Sequence, residues 1–118
     1  MSSDAEWYTL LNYIDPTIND PNATGSLGTD AGTKLKATSG WNNNGNGMDA
    51  YGFTALGGGD RGFWGGTFDG MNSQGRWWNT SEYLIDYAMY YYMDCWSGRV
   101  YRDDFIKEFG LSVRCVKD

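Results

Sequence analysis

The chain contains no histidine, and only two cysteines and two prolines among its 118 residues. Without histidine it lacks the commonest general base and the commonest metal ligand, which excludes Ser-His-Asp, Cys-His and zinc–histidine chemistry. Two thiols, Cys95 and Cys115, match neither a disulfide framework nor a metal site. Nine basic side chains face fifteen acidic ones, a net charge of −6. Such a surface repels phosphate backbones, so no nucleic-acid partner is expected. No apolar run approaches the roughly 18–20 residues that span a bilayer, so no membrane insertion is expected, and no hydrophobic signal segment follows Met1.

What the chain does have is 20 aromatic residues beside 17 glycines. It is too glycine-rich for a helical bundle and too aromatic for a disordered tail. The length indicates one domain over 1–118, burying about two-thirds of the unfolded surface. Ser3-Asp4-Ala5-Glu6 reads as a capping box, and Trp7, Leu10, Leu11 and Ile14 follow as the apolar stripe of a helix that stops at Asp15-Pro16. Residues 15–28 read as a polar loop, and a second helix runs from Asp30 as cap through Leu35 to Thr38. Fifteen of the 17 glycines lie between Gly25 and Gly75, punctuated by Trp41, Tyr51, Phe53, Phe63, Trp64 and Phe68. That segment reads as long ordered loops pinned by aromatic rings.

Residues 77–109 hold 11 of the 20 aromatics. From Ala88 onward Met89, Tyr91, Met93 and Cys95 alternate with Tyr90, Tyr92, Asp94 and Trp96, the period of a strand. Ser97-Gly98 is the expected hairpin turn, Arg99 to Asp103 the return strand, and Leu111 to Val116 a final strand. Helices first and an antiparallel sheet last give an α+β domain. The expected core is Trp7, Leu10, Leu11, Ile14, Leu35, Trp41, Phe53, Leu56, Trp77, Val100, Leu111 and Val113.

Several stretches follow one pattern. These are Ser3-Asp4-x-Glu6-Trp7, Lys34-Leu35-Lys36, Gly40-Trp41-Asn42, Gly45-Asn46-Gly47-x-Asp49-Ala50-Tyr51-Gly52-Phe53, Trp77-Trp78, Ser81-Glu82, Gly110, and Ser112-Val113-Arg114-Cys115-Val116-Lys117. In these residues the chain resembles the Fibrobacter-type major paralogous domain, a bacterial surface family. The resemblance implies a C-type-lectin-like fold with two helices, a small twisted antiparallel sheet and long glycine-rich loops. The family usually carries a cysteine and a Trp-His-Leu-Pro segment just before the first helix, where this chain has only Met1-Ser2. Its first strand is then missing or replaced by those two residues, Cys115 lacks its usual partner, and association with another chain through an open sheet edge is expected. Formylglycine-generating enzymes are more distant relatives in that fold, but Cys95 has no counterpart in their cysteine pair, and buried thiols at alternating apolar positions are inert. Asp103 and Asp104 point to opposite faces of a strand. The chain is expected to be no enzyme, with no catalytic residue, metal or cofactor.

The expected binding surface is Tyr83, Asp86, Tyr87, Tyr90, Tyr92, Asp94, Trp96, Tyr101, Asp103, Phe105 and Phe109. Tyrosine offers a flat apolar face and a hydroxyl at low entropic cost, on which sugars or protein loops rest. The opposing reading is that one strand face packs beneath the loops as core, and that the domain is a structural surface unit without a ligand. In some lectin-like proteins diversity-generating retroelements rewrite adenines, often in asparagine codons. The residue types at 83, 86, 87, 90, 92, 94, 97, 101, 103–106 and 109 are reachable that way, whereas Trp96 and Glu108 are not. The expected role is therefore recognition of a protein or carbohydrate on a cell surface, with the protein on a bacterial surface, secreted, or on a phage particle. Asn42 to Asp49 invites a calcium reading, but the twelfth position of an EF-hand opened at Asn42 is Phe53, so a turn scaffold is expected. Gly57 to Gly62 lacks the Lys-Ser/Thr of a phosphate loop.

Overall fold

The structure, a computed structural model, describes residues 2–62, 66–84, 86–107 and 109–114, with side chains for all of these except 81–84. The first helix, α1, spans Asp4–Ile14. Ser3 caps it, its hydroxyl accepting from the Glu6 amide at 3.1 Å while the Glu6 carboxylate accepts from the Ser3 amide at 2.9 Å. Two of the four orphan amides of the first turn are thereby satisfied. Asp15 ends the helix in an extended conformation ahead of Pro16. Of the expected stripe Trp7, Leu11 and Ile14 are buried, while Leu10 is half-buried against them.

Residues 15–28 are not wholly loop, since Gly25–Leu27 forms a short strand, β1. The second helix, α2, covers only Ala31–Leu35, and Asp30 makes no side-chain capping bond. It stops before Thr38 because Lys36 turns extended and the chain pairs instead with the loop beyond. Ala37 donates to the Ala55 carbonyl and Ala55 to the Leu35 carbonyl, both at 2.9 Å. The glycine-rich stretch is ordered by such bonds: Gly47, Met48, Asp49 and Ala50 all donate to carbonyls between Thr33 and Ala37. A side chain on Gly47 would collide with the Thr33 and Lys36 carbonyls, so the close approach demands glycine. Trp41 pins the loop from within, its indole donating to the Ala55 carbonyl at 3.0 Å. Tyr51 and Phe68, expected as anchors, are exposed instead, while Phe63 and Trp64 lie outside the described residues.

The remaining strands are β2 (Asp60–Arg61), β3 (Phe68–Asp69), β4 (Gln74–Leu84), β5 (Tyr87–Asp94) and β6 (Val100–Ile106). Three of them join β1 in one antiparallel sheet of order β1-β6-β5-β4, and β2 with β3 makes a small hairpin. The arrangement is thus mixed α+β, two helices with a small sheet. The alternation read from Ala88 sets the faces correctly: Met89, Tyr91, Met93 and Cys95 are buried towards α1, with Tyr91 stacked on Trp7 at 4.8 Å. The long β4 was not anticipated, because Trp77-Trp78 and the polar residues after them conceal its period of two. The expected final strand from Leu111 is replaced by isolated bridges at Gly110 and Ser112, and Cys115 to Asp118 lie outside the described residues.

The Gly110 bridge pairs with Arg61 of β2, and the Ser112 bridge helps to cover the outer edge of β4. Gly59 donates to the Gln74 carbonyl, Ser112 exchanges bonds with Arg76 and Trp78, and Thr80 donates to the Ser2 carbonyl. Ser2 in turn donates from its amide to the Arg114 carbonyl at 3.0 Å. The edge expected to stand open at the chain start is therefore occupied by Ser2 over this stretch. Across the sheet β1 pairs with Val100 to Arg102, and among the described residues no strand pairs with 103–106 on that side. Two expected core residues are exposed, Leu56 and Val113, since their loops face outward, and Leu111 is half-buried. Ile18, Leu27, Ala31, Ala37, Ala55, Tyr91, Met93 and Cys95 complete the core.

Candidate functional site

Register places the outer face of the sheet. Tyr90 lies between Trp78 and Asp103, and Tyr92 between Arg76 and Tyr101. Phe105 is opposite Ala88, one step along, and so shares that face. At the centre stands Arg76. Its guanidinium carbon lies 4.9 Å from the Tyr92 ring centroid, 5.2 Å from that of Phe105 and 5.8 Å from that of Tyr90. The same guanidinium pairs with Asp60 of β2, which ties the small hairpin to the main sheet. Only 19% of the Arg76 side chain and 9% of that of Asp60 remain exposed, so the pair is largely desolvated.

Around that centre the rings touch one another. Tyr90 and Phe105 lie 5.4 Å apart, Tyr92 and Tyr101 5.5 Å, and Phe105 stacks on Phe109 at 4.0 Å. Tyr90, Tyr92, Tyr101, Phe105 and Phe109 are all half-buried, with one ring surface against neighbours. Burial pushes the Tyr90 hydroxyl above its ordinary range, against the pull of Arg76, and burial followed by the Asp94 carboxylate does the same for Tyr92. Both are neutral hydrogen-bonding groups at physiological pH.

The structure thus brings together Tyr90, Tyr92, Tyr101, Asp103, Phe105 and Phe109. It separates others. Tyr87 has the register of Met89 and Tyr91 and belongs to the opposite face. Asp94, the last residue of β5, is buried; its carboxylate accepts from the Trp96 amide at 3.0 Å and acts on the Tyr92 hydroxyl, so it supports that ring without offering a surface of its own. Trp96 is 62% exposed in the β5–β6 connection. Asp86 is exposed in the β4–β5 turn, its carbonyl accepting from Lys107. Tyr83 lies in β4, but its side chain is outside the described ones.

Sequence reasoning missed Arg76 and Trp78. The alternation Gln74, Arg76, Trp78 against Gly75, Trp77, Asn79 carries the signal, and recognising β4 would have found them. It also missed the polar cluster beneath the opposite face. There Asp4 accepts from the Tyr91 hydroxyl at 2.7 Å and from two Arg102 nitrogens at 3.0 and 2.6 Å. Burial, then the Asp4 contact, pushes the Tyr91 hydroxyl up, and the Asp4 hydrogen bonds raise Arg102. Lys36 is 3% exposed, its ammonium donating to the Asp94 and Ser97 carbonyls at 2.9 and 3.0 Å, and burial lowers its pKa.

The Asn42–Asp49 turn bonds inward. Asn46 accepts from the Trp41 amide and Asp49 from the amide and hydroxyl of Thr54. Among the described residues no group of three or more His, Cys, Asp or Glu side chains is placed to hold a metal ion. No described helix is long and apolar enough to cross a membrane. Cys95 is a free, buried thiol.

One family model, described as the Fibrobacter succinogenes major domain, matches residues 1–117. No curated protein and no solved structure matches the chain.

Proposed function

Because the chain belongs to the Fibrobacter succinogenes major domain family, we propose that it acts by noncovalent recognition, without catalysis, at a bacterial or phage surface. The ligand, a protein or carbohydrate, rests on the outer face of β4, β5 and β6. The observation that carries this reading is the aromatic ring set half-exposed around the desolvated Arg76–Asp60 pair. Rings already ordered by neighbours lose little side-chain entropy on binding, and such rigid aromatic anchors dominate recognition surfaces. Tyr90 and Tyr101 supply faces for stacking, and Asp103 a carboxylate for hydrogen bonding. A helix packed on a small antiparallel sheet, with long glycine-rich loops, supports a C-type-lectin-like arrangement.

Of the adenine-reachable residue types, Tyr90, Tyr92, Tyr101, Asp103 and Phe105 lie on the outer face, whereas Tyr87, Asp104 and Ile106 lie on the other. Diversification by a retroelement would thus reach both faces of these strands, and alter the display through the outer set. A nearby near-copy of the gene differing only at adenines is the expected finding.

The binding test is a glycan array together with intact bacterial cells, probed with the protein and with Tyr90→Ser/Tyr101→Ser. Binding by the first and its loss in the second, with the far-ultraviolet dichroism unchanged, is the expected result. Binding unchanged in the variant overturns the assignment to this face, and no binding by either points to the structural surface domain.

A further inference from the structure

On the helix side of the sheet, away from Arg76, a cleft of about 540 Å³ opens between α1 and the 51–53 loop. It is lined mainly by Trp7, Leu10, Tyr51 and Phe53, with Glu6 and Arg114 among its polar residues. The volume and the apolar lining with few polar groups are those of small-molecule sites. Apolar surface continues beyond it, since Tyr51 meets Tyr13 edge-on at 5.8 Å and both rings are exposed.

Its charges are not equivalent. The Glu6 carboxylate is engaged by the Ser3 amide in the capping box. The nearby Asp49 carboxylate is held by the Thr54 amide and hydroxyl. Arg114 is different: its guanidinium carbon sits 4.0 Å from the Phe53 ring centroid, and although its charge acts on the Asp49 carboxylate, no carboxylate of a described residue lies within ion-pair distance. A guanidinium laid on an aromatic face keeps its edge donors for a planar anion, which carboxylates match bidentately. Trp7 lines the cleft with a ring that is itself 2% exposed and adds to its apolar wall.

We propose that this cleft binds a small aromatic carboxylate, its ring between Leu10 and Phe53 and its carboxylate on Arg114. The site is independent of the outer sheet face. The probe is 3-phenylpropionate, with its neutral amide as control, titrated into the full ¹⁵N-labelled chain.

Saturable shifts of the Trp7 indole and Phe53 and Arg114 amide signals are expected for the acid. The amide binds about tenfold more weakly or worse, because the charge-assisted bonds are lost. Arg114→Gln brings the acid to the level of the amide, and Leu10→Trp, which fills the cleft, removes both. Absence of saturable shifts, equal binding of acid and amide, or shifts confined to Trp78 and Tyr90 overturns the proposal. The acid–amide comparison on the unsubstituted protein decides the matter even if a variant fails to fold.

Discussion

Arg76 and Arg102 stand on opposite faces of one sheet, each tied to an aspartate from a distant part of the chain. Removing one member of such a pair strands a buried charge, at a cost of about 3 kcal/mol. Asp4→Ala is therefore expected to lower urea stability by about that amount. Arg76→Met is expected to be costly alone, and Arg76→Met/Asp60→Asn less costly than the single change, because the stranded carboxylate is then gone. Asp15 gives the pH dependence. Burial alone would raise its carboxyl, but hydrogen bonds from the Thr17 hydroxyl and the Thr29, Thr17 and Asp30 amides outweigh burial and hold it well below its ordinary 3.8. A folded value below the unfolded one means its stabilisation is full above pH 3.8 and is lost as pH falls towards the folded value. Acid titration of Asp15→Asn, followed by tryptophan fluorescence, is expected to show lower stability at neutral pH and a shallower decline below it. None of these roles was legible: Asp4 reads as a capping-box residue and Arg102 as a strand residue, because contacts between residues 98 positions apart leave no local pattern.

At the scale of elements, legibility follows periodicity. The first helix was readable because cap, stripe and proline stop all agree, and Ser3→Ala is expected to cost about 1 kcal/mol in thermal or urea unfolding. The alternation from Ala88 was readable because Met89, Tyr91 and Met93 fall on one side and Tyr90 and Tyr92 on the other, and the structure buries the first set. The second helix was overestimated, since Thr38 satisfies helical spacing but Ala37 gains a bond to Ala55 across the loop. The long β4 was missed, and with it the centre of the candidate site. Both of its faces carry large side chains, Trp77 inward and Trp78 outward, so no contrast marks the pleat. The glycine-rich loops carry backbone hydrogen bonds over their described residues, but which of their rings point inward was not legible. Trp41 finds a carbonyl to bond and is buried, whereas Phe68 is 77% exposed beside Arg61.

Across the whole molecule, two surfaces flank one core: the aromatic outer face, and the cleft beside the helix. A ligand on either is expected to raise the melting temperature, as anything that binds only the folded state must. Because the two surfaces lie on opposite sides of the sheet, saturating one with phenylpropionate is expected to leave capture by the other unchanged, a measurable independence. The β4 edge adds a constraint on the order of events. Its cover comes from residues 59, 112 and 2, and the bond from Ser2 to Arg114 closes nearly the entire chain into a loop. Closing so long a loop costs more entropy than joining β5 to β6, whose strands are separated by a short turn. Assembly is therefore expected to begin at the local hairpin and finish at that clasp, with opening in reverse. Hydrogen exchange is expected to release the Ser2 and Thr80 amides well before that of Tyr91, so that the two ends of the chain form the weakest seam of an otherwise cooperative fold.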